Sequence, residues 1–158
     1  MFEKPFYNFL YSLILVLITA GFCSYFNRIG MENFYAEINL SRFNPPNIVF
    51  PIVWAVLYAI LIFSFDTVLN SADKSLLRPA ATLFTLNLFL QVLWTFVFFY
   101  NASFFAGFVV LVVLDFVTAV MMWFFYQINR TAGLMLILYF IWLLFATYLN
   151  WAVVILNP

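Results

Sequence analysis

A chain of 158 residues that is 68% hydrophobic, with a mean hydropathy of +1.10, has too little polar surface to cover a water-soluble globule. Its six Lys/Arg and six Asp/Glu cancel and lie mostly outside the apolar runs, which argues against a nucleic-acid surface and against a polybasic lipid patch. With one cysteine and no histidine, an internal disulfide, a structural zinc centre and histidine-ligated haem are excluded, and no metal or cofactor is expected.

Most of the chain falls into five apolar stretches, each about 20 residues long and so able to cross about 30 Å of hydrocarbon as a helix. The expectation is one all-α domain over residues 1–158, an integral-membrane bundle of five transmembrane helices with no room for a separate soluble domain. Continuous apolar runs favour helices over barrel strands, which alternate over about 10 residues.

The first span is predicted over about residues 5–26. Lys4 followed by the apolar run Leu10 to Phe22 has the outline of a secretory signal. Phe22 stands before Cys23 where a small residue would be needed, and further spans follow, so the segment is read as a retained helix. Ala20 and Ser24, beside Gly21, form a small-xxx-small pair that suits either an internal close contact or a homodimer seam. A polar and aromatic connector, Asn27 to Pro46, leads to the second span at about 47–69. There Trp54 and Tyr58 share one face, and Asp66 near the end is read as an anchor for Lys74 or Arg78.

The third span, about 79–100, carries Asn87, Gln91, Trp94 and Phe98 in a single stripe. The fourth, about 103–126, holds Asp115 as a lone deep carboxylate. A charge there costs about 2.5–3.5 kcal/mol even on the translocon scale. Asp115 is thus either a proton or cation site, or a neutral acid bonded to Gln91 or Thr147 on another helix. The fifth span, about 131–156, repeats the striped design with Tyr139, Trp142, Ala146 and Asn150. Short turns between spans three, four and five make them antiparallel neighbours.

Three helices therefore each present a ringed, sparsely polar face. One reading makes these faces the walls of a cavity for a large, flat, apolar ligand, with amides for its polar edge. The other makes the amides interhelical ties and the rings simple packing. For orientation, Lys4, Lys74, Arg78 and Arg130 lie on one side and Arg28 and Arg42 on the other, which predicts a cytoplasmic N-terminus in a bacterial cytoplasmic membrane.

Phe34-Tyr35, Asn44-Pro45-Pro46-Asn47, Val49-Phe50, Trp54 and Leu57-Tyr58 together resemble the connector and second helix of the tryptophan-rich sensory protein and mitochondrial translocator protein family. Asn87, Gln91, Trp94-Thr95 and Phe98-Phe99 resemble its third helix, and Tyr139, Trp142, Phe145-Ala146 and Leu149-Asn150 its fifth. The resemblance implies five helices, often a dimer, and a cavity for porphyrins and synthetic lipophiles closed by the first loop. Position by position it puts Trp54, Tyr58, Asn87, Gln91, Trp94, Phe98, Trp142, Ala146 and Asn150 at ligand-binding or motif positions, and Phe34, Tyr35, Phe43, Pro45 and Pro46 in the lid. It also implies light-dependent porphyrin degradation for some members, for which Trp54 and Trp142 are the candidates here.

The departures are in the loop and in the amides. Phe34, Phe43 and Ile48 stand where the family has tryptophans, Leu138 stands for its proline, and the Asn87/Gln91 pair is exchanged. Pro51 and Ile52 replace a Gly-Pro pair. No basic residue follows Arg130, so the cholesterol motif of the animal proteins is missing.

The leading expectation is a membrane binding protein for a protoporphyrin-like tetrapyrrole or similar planar lipophile, acting as sensor, scavenger or carrier, with metal-free porphyrin preferred because axial ligands are few. Its partners would then be membrane lipid, the lipophilic ligand and a second copy of the chain, with no nucleic acid. Two alternatives remain: a light-dependent porphyrin-degrading enzyme, although nothing in the sequence supplies a general base, nucleophile or metal, and a small proton-coupled exporter built on Asp115.

Overall fold

Proline stands in the first turn of two helices, as Pro51 and Pro79, where its missing N–H has no intrahelical partner to lose. The computed structural model describes residues 5–71 and 75–158. Among them are five helices and no strand: α1 (Pro5–Asn33), α2 (Val49–Asn70), α3 (Leu77–Thr95), α4 (Phe104–Ile128) and α5 (Arg130–Leu156). A π-helical turn, Phe96–Tyr100, continues α3. All five helices are long and apolar enough to cross a membrane. Rings such as Phe6, Phe105 and Phe116, the last 70% exposed, point away from the bundle, as hydrocarbon solvent allows.

The helices form a ring in which α1 packs on α2, α2 on α5, α5 on α4 and α4 on α3, and α3 with its π turn closes on α1. Tight connectors enforce the antiparallel neighbours. Asn129 alone joins α4 to α5 and caps the new helix, its Oδ1 accepting from the backbone N–H of Thr131 at 3.0 Å and of Ala132 at 3.3 Å. So sharp a reversal brings Gly133 against Tyr126, whose backbone would lie 2.6 Å from a β-carbon. Phe65, Phe84 and Phe125 stack between α2, α3 and α4, with Phe65 and Phe84 centroids 3.9 Å apart.

Several expectations are corrected by this arrangement. The first helix runs on to Asn33 instead of ending near Phe26, because the polar segment after the apolar run supports itself: Arg28 Nε meets Glu32 Oε1 at 2.8 Å one turn on. Within the chain the close approach on α1 is at Gly30, where a β-carbon would come within 2.8 Å of Phe99, whereas Gly21 has nothing within 4 Å, so the internal contact is the reading of its small-residue pair that is corrected. Among the described residues Asp66 is held by Asn70 Nδ2, which donates to its Oδ1 at 2.8 Å, and not by Arg78. Lys4 and Lys74 lie outside the described residues.

Candidate functional site

The inward faces of four helices and the α1–α2 loop enclose a cavity of about 340 Å³, inside the range of roughly 300–1,000 Å³ typical of small-molecule sites. From α1 come Cys23, Ser24, Asn27 and Met31, and from the loop Tyr35, Asn44 and Asn47. Helix α2 adds Phe50, Pro51, Trp54 and Tyr58, and α3 with its π turn adds Gln91, Trp94, Thr95, Phe98 and Phe99. Ala146, Leu149, Asn150 and Val153 complete the wall from α5, and α4 contributes none. None of these side chains carries a charge at neutral pH.

Aromatic rings make one continuous wall. Trp54 lies 5.5 Å from Tyr58 and 6.4 Å from Trp94, and Trp94 lies 6.2 Å from Phe98 and 6.0 Å from Phe99, centroid to centroid. The π turn explains why both Phe98 and Phe99 line the cavity: one extra residue per turn rotates Phe99 inward beside Phe98, and Asn101 N–H closes the turn on Phe96 O at 3.0 Å. Trp94 is oriented by its indole N–H, which donates to Asn150 Oδ1 at 3.1 Å, while Asn150 Nδ2 donates to Phe104 O at 2.8 Å.

Beneath the cavity lies a fully buried polar network. Thr118 Oγ1 donates to Leu114 O, and Asn87 Nδ2 donates to Thr118 Oγ1, each at 2.7 Å. Tyr139 OH donates to Asn87 Oδ1 at 2.9 Å. Gln91 Nε2 donates both to Asn87 Oδ1 at 3.0 Å and to Tyr139 OH at 2.9 Å. The network ties α3, α4 and α5 together, as polar groups in hydrocarbon must pair.

Seven residues expected to face a ligand line the cavity: Trp54, Tyr58, Gln91, Trp94, Phe98, Ala146 and Asn150, with Tyr35 from the lid. Asn87 does not. It is 0% exposed, and both ends of its amide are taken by the network. Trp142 does not either. It sits in a separate, wholly apolar groove between α2 and α5 with Val53, Val56, Leu138 and Ile141, and Phe50, 6.1 Å from it, stands between it and the cavity. Asp115 also lies apart, at the α4–α5 seam, where Thr147 Oγ1 donates to its Oδ2 at 2.7 Å.

Among the lid residues, Phe34 packs on Phe104 and Phe43 on Tyr148, and neither reaches the cavity, nor do Pro45 and Pro46. The loop is held down instead by an amide clasp. Asn39 N–H donates to Asn157 Oδ1 at 2.9 Å, and Asn157 Nδ2 returns a bond to Asn39 O at 3.0 Å. Tyr35 is the lid side chain turned inward, against Phe99 at 5.9 Å. Burial pushes its phenol above the ordinary value, and a hydrogen bond with Asn44 opposes part of that.

The sequence pattern missed the α1 wall. Cys23, Asn27 and Met31 recur at helical spacing, but one thiol and one amide among apolar neighbours are too sparse a signal. It also missed Phe99, whose inward turn depends on the π geometry.

Residues 12–156 match the sequence profile of the TspO/MBR family. The chain is 32% identical over 126 residues to tryptophan-rich protein TspO of Chlorobaculum tepidum, covering 79% of this chain and 80% of that one. It is likewise 32% identical over 145 residues to tryptophan-rich protein TspO of Archaeoglobus fulgidus, covering 91% and 94%. To the tryptophan-rich sensory protein of Cereibacter sphaeroides it is 30% identical over 126 residues, covering 80% and 78%.

Proposed function

The chain belongs to the TspO/MBR family and is an integral membrane protein, and on that premise we propose that its cavity binds a porphyrin or a similar planar lipophile, as sensor, scavenger or carrier. The observation that carries this reading is the uncharged, aromatic-walled cavity of about 340 Å³ under the α1–α2 loop, with Trp54 and Trp94 side by side. Flat π-systems gain most from such walls, by offset stacking and by displacing water from apolar surface. The amides Asn27, Asn44 and Asn47 are the cavity's polar side chains nearest the loop, suited to the polar edge of a ligand whose apolar body lies deeper.

We place the N-terminus in the cytoplasm, because four basic residues, Lys4, Lys74, Arg78 and Arg130, fall in sequence where α1, α3 and α5 begin, against two, Arg28 and Arg42, toward the other end.

The test is quenching of tryptophan fluorescence by protoporphyrin IX in the dark, with wild type, Trp54→Ala and Trp142→Ala. Saturable quenching is expected for wild type. Loss of one stacking partner should weaken binding by about tenfold or more in Trp54→Ala and by much less in Trp142→Ala. Equal loss in both variants would move the site toward the α2–α5 groove, and no saturable quenching of wild type would end the porphyrin reading.

A further inference from the structure

Three buried side-chain polar atoms among the described residues have no hydrogen-bond partner: Gln91 Oε1, Asp115 Oδ1 and Trp142 Nε1. Only Gln91 belongs to the cavity wall, and it is 1% exposed. Both of its amide hydrogens are spent on Asn87 and Tyr139, neither of which lines the cavity. The polar group it has left to offer a ligand is a carbonyl oxygen.

The direction of every bond in the network is set at its far end. Thr118 has one hydroxyl proton and gives it to Leu114 O, so it must accept from Asn87, and Asn87 must turn its NH₂ toward it. Asn87 then presents its oxygen to Tyr139 and Gln91, and Tyr139, having donated to Asn87, accepts from Gln91. Turning both amides over would reverse the chain and bring an NH₂ to the cavity, but Thr118 would then donate to Asn87 and the bond to Leu114 would be lost. The five bonds seen would become four.

We propose that this relay makes the Gln91 side chain an obligate hydrogen-bond acceptor in the cavity wall, so that the protein selects planar ligands whose buried part is uncharged and carries an N–H or O–H donor. Thr118 acts as the positioning residue that fixes the polarity. The absence of any charged side chain in the wall restricts the buried part of the ligand to neutral groups, since an ion there would stay unpaired. In a metal-free porphyrin the N–H groups point to the ring centre, so they could meet this oxygen only over the ring face, whereas an open-chain tetrapyrrole can present its pyrrole N–H groups directly. This inference rests on the reading of the cavity as a ligand site and adds to it a rule about which ligands enter.

The test compares two flat tricyclic probes of equal size, carbazole, which has an N–H, and dibenzofuran, which has an oxygen in its place. Binding of each to the full chain in lipid nanodiscs is measured by equilibrium dialysis against empty nanodiscs. One buried hydrogen bond corresponds to roughly a tenfold preference, so carbazole should bind wild type about tenfold more tightly. In Thr118→Val the two amide orientations become nearly equivalent, and the preference should fall to about twofold or less. Thr118→Ser, which keeps the hydroxyl, should retain it.

Equal binding of the two probes to wild type would overturn the acceptor rule while leaving the cavity reading intact. A preference that survives in folded Thr118→Val would overturn the relay. Binding of neither probe above empty nanodiscs would overturn the cavity reading and this inference with it.

Discussion

Tyr35 shows how a single side chain can make the lid sensitive to pH. Its ring closes the cavity against Phe99, and burial there favours the neutral phenol over the phenolate. A raised pKa in the closed loop means that closure is fully supported below the ordinary phenol value of about 10 and is lost as pH rises through the raised value. Porphyrin affinity, followed by fluorescence quenching, should therefore hold steady from about pH 7 to 9 and weaken above about pH 10. Tyr35→Phe should abolish that alkaline loss, because a ring without a hydroxyl has no proton to give up. If the variant weakens in parallel with wild type, the alkaline effect arises elsewhere.

At the scale of the elements, α1 and the π turn are coupled through one glycine. A β-carbon at Gly30 would lie 2.7–2.8 Å from Phe99 Cδ1, Cβ and backbone O, and backbone cannot swing aside as a side chain tip can. Gly30→Ala should cost about 1–3 kcal/mol of thermal stability in detergent and, by displacing Phe99, weaken porphyrin binding as well. Gly21→Ala is the matched control. Gly21 lies on the same helix with open space around it, and a change there should stay within about 0.5 kcal/mol. A Gly30→Ala protein as stable as the control would mean that α1 shifts freely on the π turn.

The same comparison shows what the sequence could reveal. Five apolar runs of membrane length gave the number of helices, and the α3 stripe gave Gln91, Trp94 and Phe98, because helical period and hydrocarbon thickness are properties of the chain itself. The extension of α1 to Asn33 was hidden, since an apolar run marks where lipid ends and not where a helix does. Asn87 and Trp142 followed the stripe pattern but were turned to other tasks. Which of two helically equivalent residues reaches a cavity depends on what fills the seam, here Phe50 beside Trp142 and the Thr118–Tyr139 pair around Asn87. Asp115 was legible as a carboxylate needing a partner, and Thr147 supplies the bond.

Across the whole molecule, two parts of the chain 118 residues apart in sequence close the cavity together. The loop after α1 is clasped to the last residues of α5 by the reciprocal Asn39–Asn157 bonds, with Asn39 Nδ2 also donating to Leu156 O at 3.3 Å. Ser41 Oγ lies 3.4 Å from Tyr148 OH, and Phe43 packs on the same tyrosine, so the loop is fixed at two points along α5. These bonds are exposed and so modest, each worth about 0.5–1.5 kcal/mol net. That strength suits a latch, which must hold a ligand and still release it. Asn157→Ala removes both side-chain bonds of the clasp and no cavity wall. Opening should become easier for entry and exit alike, and the porphyrin dissociation rate should rise about five- to tenfold with a smaller change in affinity. Stopped-flow recovery of tryptophan fluorescence after displacement measures this directly. If the rate is unchanged while Tyr148→Ala accelerates it, the second anchor is the latch. If neither variant accelerates release, the ligand leaves between helices and the α1–α2 loop is a fixed roof.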